Sequence, residues 1–164
     1  MIKNEAQPME EKIELVRNAI EHRATWFYLL VEEMKKRGLD YEEIGRAAIR
    51  NCGCFHGDQK NAACADSADL REFAKVFMDE NGTKVFQAEI LENTEDKFYF
   101  DFHYCPLVSA WLKAGAKEED IPLLCDMAME GDRGIVSRFD GYTFKLDGTI
   151  AEGEPVCRIR IGKE

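Results

Sequence analysis

The chain has no basic tract, no long apolar run, no internal repeat, no low-complexity stretch and no recognisable linker. Its formal charge is −10, and the only basic cluster is Lys35-Lys36-Arg37. That balance argues against nucleic acid or an anionic membrane surface as partner. The triplet falls in the last turn of a predicted helix, where cations complement the helix dipole, so it needs no partner of its own. The longest apolar run, Trp26 to Val31, is far too short to span a bilayer, and no hydrophobic signal segment opens the sequence. A cytoplasmic protein is expected. In a reducing compartment the six cysteines (52, 54, 64, 105, 125 and 157) are thiols, metal ligands or catalysts rather than a disulfide framework.

At 164 residues the chain is the size of one domain, and its 45% hydrophobic content is enough for a core of its own. The pattern divides it into a mainly helical part, residues 1–82, and an α+β part, residues 83–164. A helix is expected from about Glu10 to Arg37, with Ile13, Val16, Ile20, Phe27, Leu30 and Met34 on its inner stripe. Trp26 to Val31 is apolar nearly all round, which suggests cover on two sides, by the domain and by a second subunit. Asp40 with Glu43 starts a second helix to about Arg50. A glycine- and cysteine-rich loop is expected over 51–65, then a third helix from about Asp66 to Gly82.

The period then changes to two. Strands are expected over 84–91 and 97–104, a short helix from Pro106 to a stop at Gly115, a longer helix over 120–138, and strands over 142–146 and 156–161. The fold class is α+β, an N-terminal helical layer packed on an antiparallel sheet that two helices interrupt.

The chemistry concentrates in Asp101-Phe102-His103-Tyr104-Cys105-Pro106. Strand alternation places Phe98, Phe100, Phe102 and Tyr104 on a core face, and Tyr99, Asp101, His103 and Cys105 on the other. Cys105 then caps the helix that Pro106 begins, a position that favours the thiolate. Elsewhere, Glu130, Asp132 and Arg133 cluster beside Gly131 and Gly134. Two readings stay open for them: an acidic helix end with Arg133 in a surface ion pair, or a substrate-binding cluster. Cys105, Cys125 and Cys157, with His103, offer sulfur and nitrogen ligands of the kind zinc takes, although their spacing matches no compact zinc motif. Cys52, Cys54, His56 and Cys64 form a second group, also without the usual zinc spacing. Phe55 and His56 suit a lid or pocket wall as well as a metal.

From about Phe98 to Ile161 the sequence resembles the L-2-amino-thiazoline-4-carboxylic acid hydrolase family. The resemblance rests on Asp101 to Leu107, Gly115, Leu124-Cys125-Asp126, Glu130-Gly131-Asp132 and Gly153-Glu154-Pro155-Val156-Cys157. The last segment is also similar to the end of 4-vinyl-reductase-type domains, which bind small molecules and sometimes zinc. The first resemblance implies that water opens a cyclic isothiourea to N-carbamoyl-L-cysteine. It implies Cys105 as nucleophile or metal ligand, His103 as general acid/base, and Asp101 or Asp132 holding the amidine. Arg133 would clamp the carboxylate, with Glu130, Tyr99 and His56 completing the substrate contacts. The partner is then a small molecule; the long first helix with its apolar stretch suggests a homodimer. The second resemblance implies a non-catalytic sensor of a small molecule or zinc.

Overall fold

The computed structural model describes residues 1–164. Helix α1 spans Glu11–Lys36, with Glu11 and Glu14 in its first turn and Lys35 and Lys36 in its last, each charge opposing the helix dipole. Gly38, at φ +67°, turns the chain out of the helix. The buried line of α1 is Ile13, Arg17, Ala24 and Val31. Leu30, expected inside, is 60% exposed, and Trp26 and Leu29 beside it are also exposed. Arg17 departs furthest from the expected stripe. It is 2% exposed, donates to the carbonyls of Val85 and Gln7, and lies over the Tyr104 ring. An arginine so fully supplied with acceptors can be buried without leaving its donors unpaired.

Helix α2 runs over Tyr41–Ala63, and the Asp40 carboxylate caps it at the Glu43 amide, 3.1 Å away. The loop expected over 51–65 is therefore mostly helix. Its glycines serve packing rather than flexibility. A Cβ on Gly53 would run into the Gly131 carbonyl oxygen, and one on Gly134 would lie 2.6 Å from the Arg50 carbonyl oxygen. The backbones of α2 and of α7 (Glu130–Val136) thus touch along a seam that only glycine permits.

The third helical region is two short helices, α3 (Leu70–Phe77) and α4 (Glu80–Val85), capped by Asp69 and Asp79. Lys84 and Val85 belong to α4, so the first strand, β1, starts later than expected, at Ala88, and runs to Asn93. It pairs with β2 (Lys97–Phe102). Helices α5 (Pro106–Lys113) and α6 (Ile121–Ala128) follow, then α7, β3 (Tyr142–Leu146) and β4 (Cys157–Lys163). The expected helix over 120–138 is thus broken at Met129 into α6 and α7.

The four strands form one antiparallel sheet in the order β1-β2-β4-β3. The α+β class holds. In the register Phe100 faces Ile159, and Phe102 faces Cys157. Phe98, Phe100, Ile159 and Ile161 are buried on the inner face against Phe73, Phe139 and the helices. Hydrogen bonds tie α5 to α1: Trp111 Nε1 donates to the Ala24 carbonyl, and Lys113 and Ser109 both reach the Glu21 carboxylate. No helix is long and apolar enough to cross a membrane.

Candidate active site

Between the inner sheet face and helices α1, α2, α5, α6 and α7 lies a cavity of about 550 Å³. Phe27, Phe77, Phe86, Phe102, Leu107, Met129, Ile135 and Leu146 give it a mostly apolar wall. Arg23, Cys52, His56 and Asp79 line it while remaining exposed, so they mark its rim. Deeper in are three thiols, Cys105, Cys125 and Cys157, and one carboxylate, Asp132. A small ring with a few polar groups fits such a space.

Cys105 reaches the cavity because the strand ends before it. The alternation runs through Phe102, then the chain bends at His103, which resets which way the following side chains point. Cys105 is the extended N-cap of α5, with Pro106 at the first helical position. Its backbone is held on both sides by one residue: the Cys105 amide donates to Asn4 Oδ1 at 2.9 Å, and Asn4 Nδ2 donates to the Cys105 carbonyl at 2.8 Å. The expectation of a resting thiolate is corrected. Burial pushes the Cys105 thiol up to about 11, while the Val108 and Leu107 amides pull the other way without prevailing. Asp132, which lines the same cavity, adds a smaller contribution to the rise.

Asp132 projects from the first turn of α7. Burial raises its carboxyl to about 6, against the opposing pull of Arg23, Arg133 and Lys60. No protein hydrogen bond contributes to holding its charge. It is half-buried and lines the cavity. A carboxyl that changes protonation near neutrality is suited to moving protons.

The other expected residues lie elsewhere. Tyr99 and Asp101 are on the outer sheet face, where Arg160 pairs with Asp101 at 2.8 Å and lies over the Tyr99 ring. His103 is 44% exposed, and its Nε2 is 3.0 Å from Glu89 on β1. The placement of these three beside Cys105 on one functional face is therefore corrected. Their strand alternation puts Tyr99 and Asp101 outward, and the bend at His103 turns only Cys105 in. Arg133 and Glu130 join a network instead of facing the cavity. Arg133 binds Asp126 at 2.6 Å and Glu130 at 2.8 Å, Arg50 binds Glu130 at 3.0 Å, and Arg46 binds Asp126 at 2.7 Å. These pairs fasten α2 to α6 and α7 beside the glycine seam. Of the two readings of the Glu130–Arg133 cluster, the ion pair describes Arg133 and Glu130, whereas Asp132 alone turns inward.

The donor set does not suit a metal. Cys125 and Cys157 share the cavity with Cys105, but no group of three or more His, Cys, Asp or Glu residues is arranged to hold an ion. Burial pushes Cys157 up to about 12 and Cys125 well above the ordinary thiol range, each raised further by its neighbour Cys105. The Ile150 amide donates to the Cys157 sulfur at 3.3 Å, a contact that locks the side chain structurally. In the second cysteine group, Cys54 approaches Ser137 and Cys64 approaches the Asp66 carbonyl, both away from the cavity.

Sequence reasoning overlooked Asn4, Arg23 and Lys60. Asn4 acts on Cys105 across 101 residues, and nothing local in either segment announces the contact. Lys60 lines the cavity but commits its ammonium to the Val76 carbonyl. Arg23 had a signal: it shares a helix face with Ala24 and Phe27, which also line the cavity.

The sequence model of the L-2-amino-thiazoline-4-carboxylic acid hydrolase family matches residues 17–161, nearly the whole chain. No curated protein is a significant match. Among solved structures, a trafficking protein particle complex subunit 3 from Naegleria fowleri, covalently bound to palmitic acid, superposes with a TM-score of 0.59 at 12% identity. The match covers 88% of this chain and 94% of that one. At that identity the likeness concerns the fold alone.

Proposed function

Because the chain belongs to the L-2-amino-thiazoline-4-carboxylic acid hydrolase family, we propose that it opens a thiazoline-type heterocycle inside this cavity, with Cys105 as nucleophile and Asp132 as proton carrier. One observation carries the reading: a thiol at a helix N-terminus and an ionisable carboxyl without a hydrogen-bond partner line the same enclosed space. The resting thiol is neutral, so the substrate must supply the missing charge. A protonated amidine-like ring entering an apolar cavity favours thiolate formation, and the Leu107 and Val108 amides favour it further.

The steps then balance. The Cys105 proton passes to Asp132, and sulfur bonds to the ring carbon between nitrogen and sulfur. The ring C–S bond breaks, and the leaving sulfur takes the proton from Asp132. Water next adds to the same carbon, giving a proton to Asp132. The bond to Cys105 breaks as the carbonyl forms, and the released thiolate is reprotonated. The net change is the addition of one water. His56 at the rim contacts the entering ring. In this reading His103, Asp101 and Tyr99 play no chemical part, and Arg133 and Glu130 support the wall.

The test compares Cys105→Ala with His103→Ala on L-2-amino-thiazoline-4-carboxylate. Cys105→Ala is expected to lose turnover about a thousandfold or more, with the fold intact by circular dichroism. His103→Ala is expected to keep it. Near-normal turnover in Cys105→Ala would refute a thiol mechanism here.

The six unpaired cysteines fit a reducing, cytoplasmic setting. Exposed Leu15, Trp26, Leu29 and Leu30 along α1 support a homodimer joined through that helix. A second reading, binding without turnover, is favoured by the apolar wall. The structural neighbour's covalently bound palmitic acid gives it a form, an apolar chain held on a cavity thiol. An acyl adduct found by intact-mass measurement, together with no ring opening, would select it.

A further inference from the structure

The substrate assigned above carries a carboxylate, and the cation expected to receive it, Arg133, is saturated by Asp126 and Glu130. Two lysines or arginines line the cavity, Arg23 and Lys60. Lys60 spends one of its three donors on the Val76 carbonyl, whereas Arg23 spends none on the protein. Arg23 sits on α1 at the rim, exposed, and forms no ion pair or hydrogen bond with the protein. The other charges obey the same division. Asp79 lines the cavity but caps α4 through the Gly82 amide at 2.7 Å, whereas Asp132 has no such commitment. The cavity therefore holds one cation wholly without a protein partner, at its rim, and one such acid within.

We infer that Arg23 is the residue that binds the substrate's carboxylate, and that the cavity selects small molecules with a carboxylate at one end and a cationic or hydrogen-donating group at the other. The inference rests on the hydrolase reading for the identity of the substrate, but not for the anion site itself. The guanidinium presents a planar fork that matches a carboxylate with two parallel hydrogen bonds. Placed at the rim, it receives the anion where water still reaches, so the ligand need not lose all its hydration. The apolar wall then encloses the ring, and Asp132 meets the amidine end. Arg23 leads the cations that pull the Asp132 carboxyl down against the larger effect of burial.

The experiment measures binding by calorimetry, so it does not depend on turnover. The probes are L-thiazolidine-4-carboxylate, which keeps the carboxylate on a saturated, unreactive ring, and 2-amino-2-thiazoline, which lacks the carboxylate. Arg23→Met is expected to weaken thiazolidine-4-carboxylate by about 10- to 100-fold and not to weaken 2-amino-2-thiazoline. Arg23→Lys, which keeps the charge and loses the fork, should fall between. Arg23 has no protein partner to lose, and an unchanged melting temperature confirms that the variants fold. Equal binding of thiazolidine-4-carboxylate by wild type and Arg23→Met would overturn the inference, as would equal losses for both probes or no binding of the carboxylate by wild type. Arg23-dependent binding without ring opening of L-2-amino-thiazoline-4-carboxylate would uphold the anion site and sink the hydrolase reading. Turnover whose KM ignores Arg23 would do the reverse.

Discussion

Replacing Asp132 with asparagine removes a charge that the fold carries at a cost, and the size of that cost follows from its surroundings. Burial holds the carboxyl at about 6 in the folded chain, against 3.8 for an unperturbed aspartate. Below about pH 4 the group is protonated in both states and contributes no penalty. As pH rises from about 4 to about 6 the unfolded chain releases its proton while the folded chain keeps it. Stability is therefore lost across that interval and stays lost above it. The difference corresponds to about 3 kcal/mol at pH 8. An asparagine side chain has nearly the same shape and no charge, so Asp132→Asn should gain on wild type by that amount at pH 8 and by little at pH 4. At this chain length the gain at pH 8 corresponds to roughly 10 °C in melting temperature. Urea unfolding of both proteins across pH 4–8 reads the difference directly, and the other carboxylates cancel between them. The same substitution should abolish ring opening, since an amide cannot carry the proton. A flat difference curve would show that Asp132 is not desolvated, and the proposed acid/base role would go with it.

Two further outcomes test the framework around the site. Gly134→Ala should destabilise by about 3 kcal/mol, read as a lower urea midpoint, because its Cβ would meet the Arg50 carbonyl at 2.6 Å and the Cys54 amide nitrogen at 3.0 Å. A neutral effect would mean that α2 and α7 are not in backbone contact. For the dimer proposed through α1, wild type should sediment as a dimer and Trp26→Glu as a monomer, with no loss of helicity. Equal sedimentation coefficients for the two proteins would refute a contact through Trp26.

The fold was legible where the signals are local. The aromatic alternation of β2, the Asp40 cap of α2, and proline at the start of α5 all lead to the elements that form. The 51–65 segment misled because glycine and cysteine in sequence look like a loop, whereas here glycine answers to a backbone that lies far along the chain. The α1 stripe was misjudged because the buried line runs through a charged residue, Arg17, with Ile13, Ala24 and Val31, and Leu30 lies about 100° around the helix from it. For the site, a strand pattern reports which face a residue takes only while the strand lasts. Asp101 and Tyr99 obey it, and the bend at His103 sends Cys105 to the opposite side. The family pattern drew attention to Glu130, Asp132 and Arg133 together, but one helical turn cannot point all three at one place. Charge balance between elements, visible only after folding, separates the two that brace the wall from the one that faces inward.

The glycine seam also sets a dimension. At Gly53 and Gly134, α2 and α7 meet main chain to main chain, and there no side chain can be swapped to widen or narrow the gap. The helix that carries His56 and the helix that carries Asp132 are fixed like the jaws of a caliper. Adaptation to larger or smaller ligands must therefore come from the opposite jaw, the sheet and α1, where side chains of adjustable size form the wall.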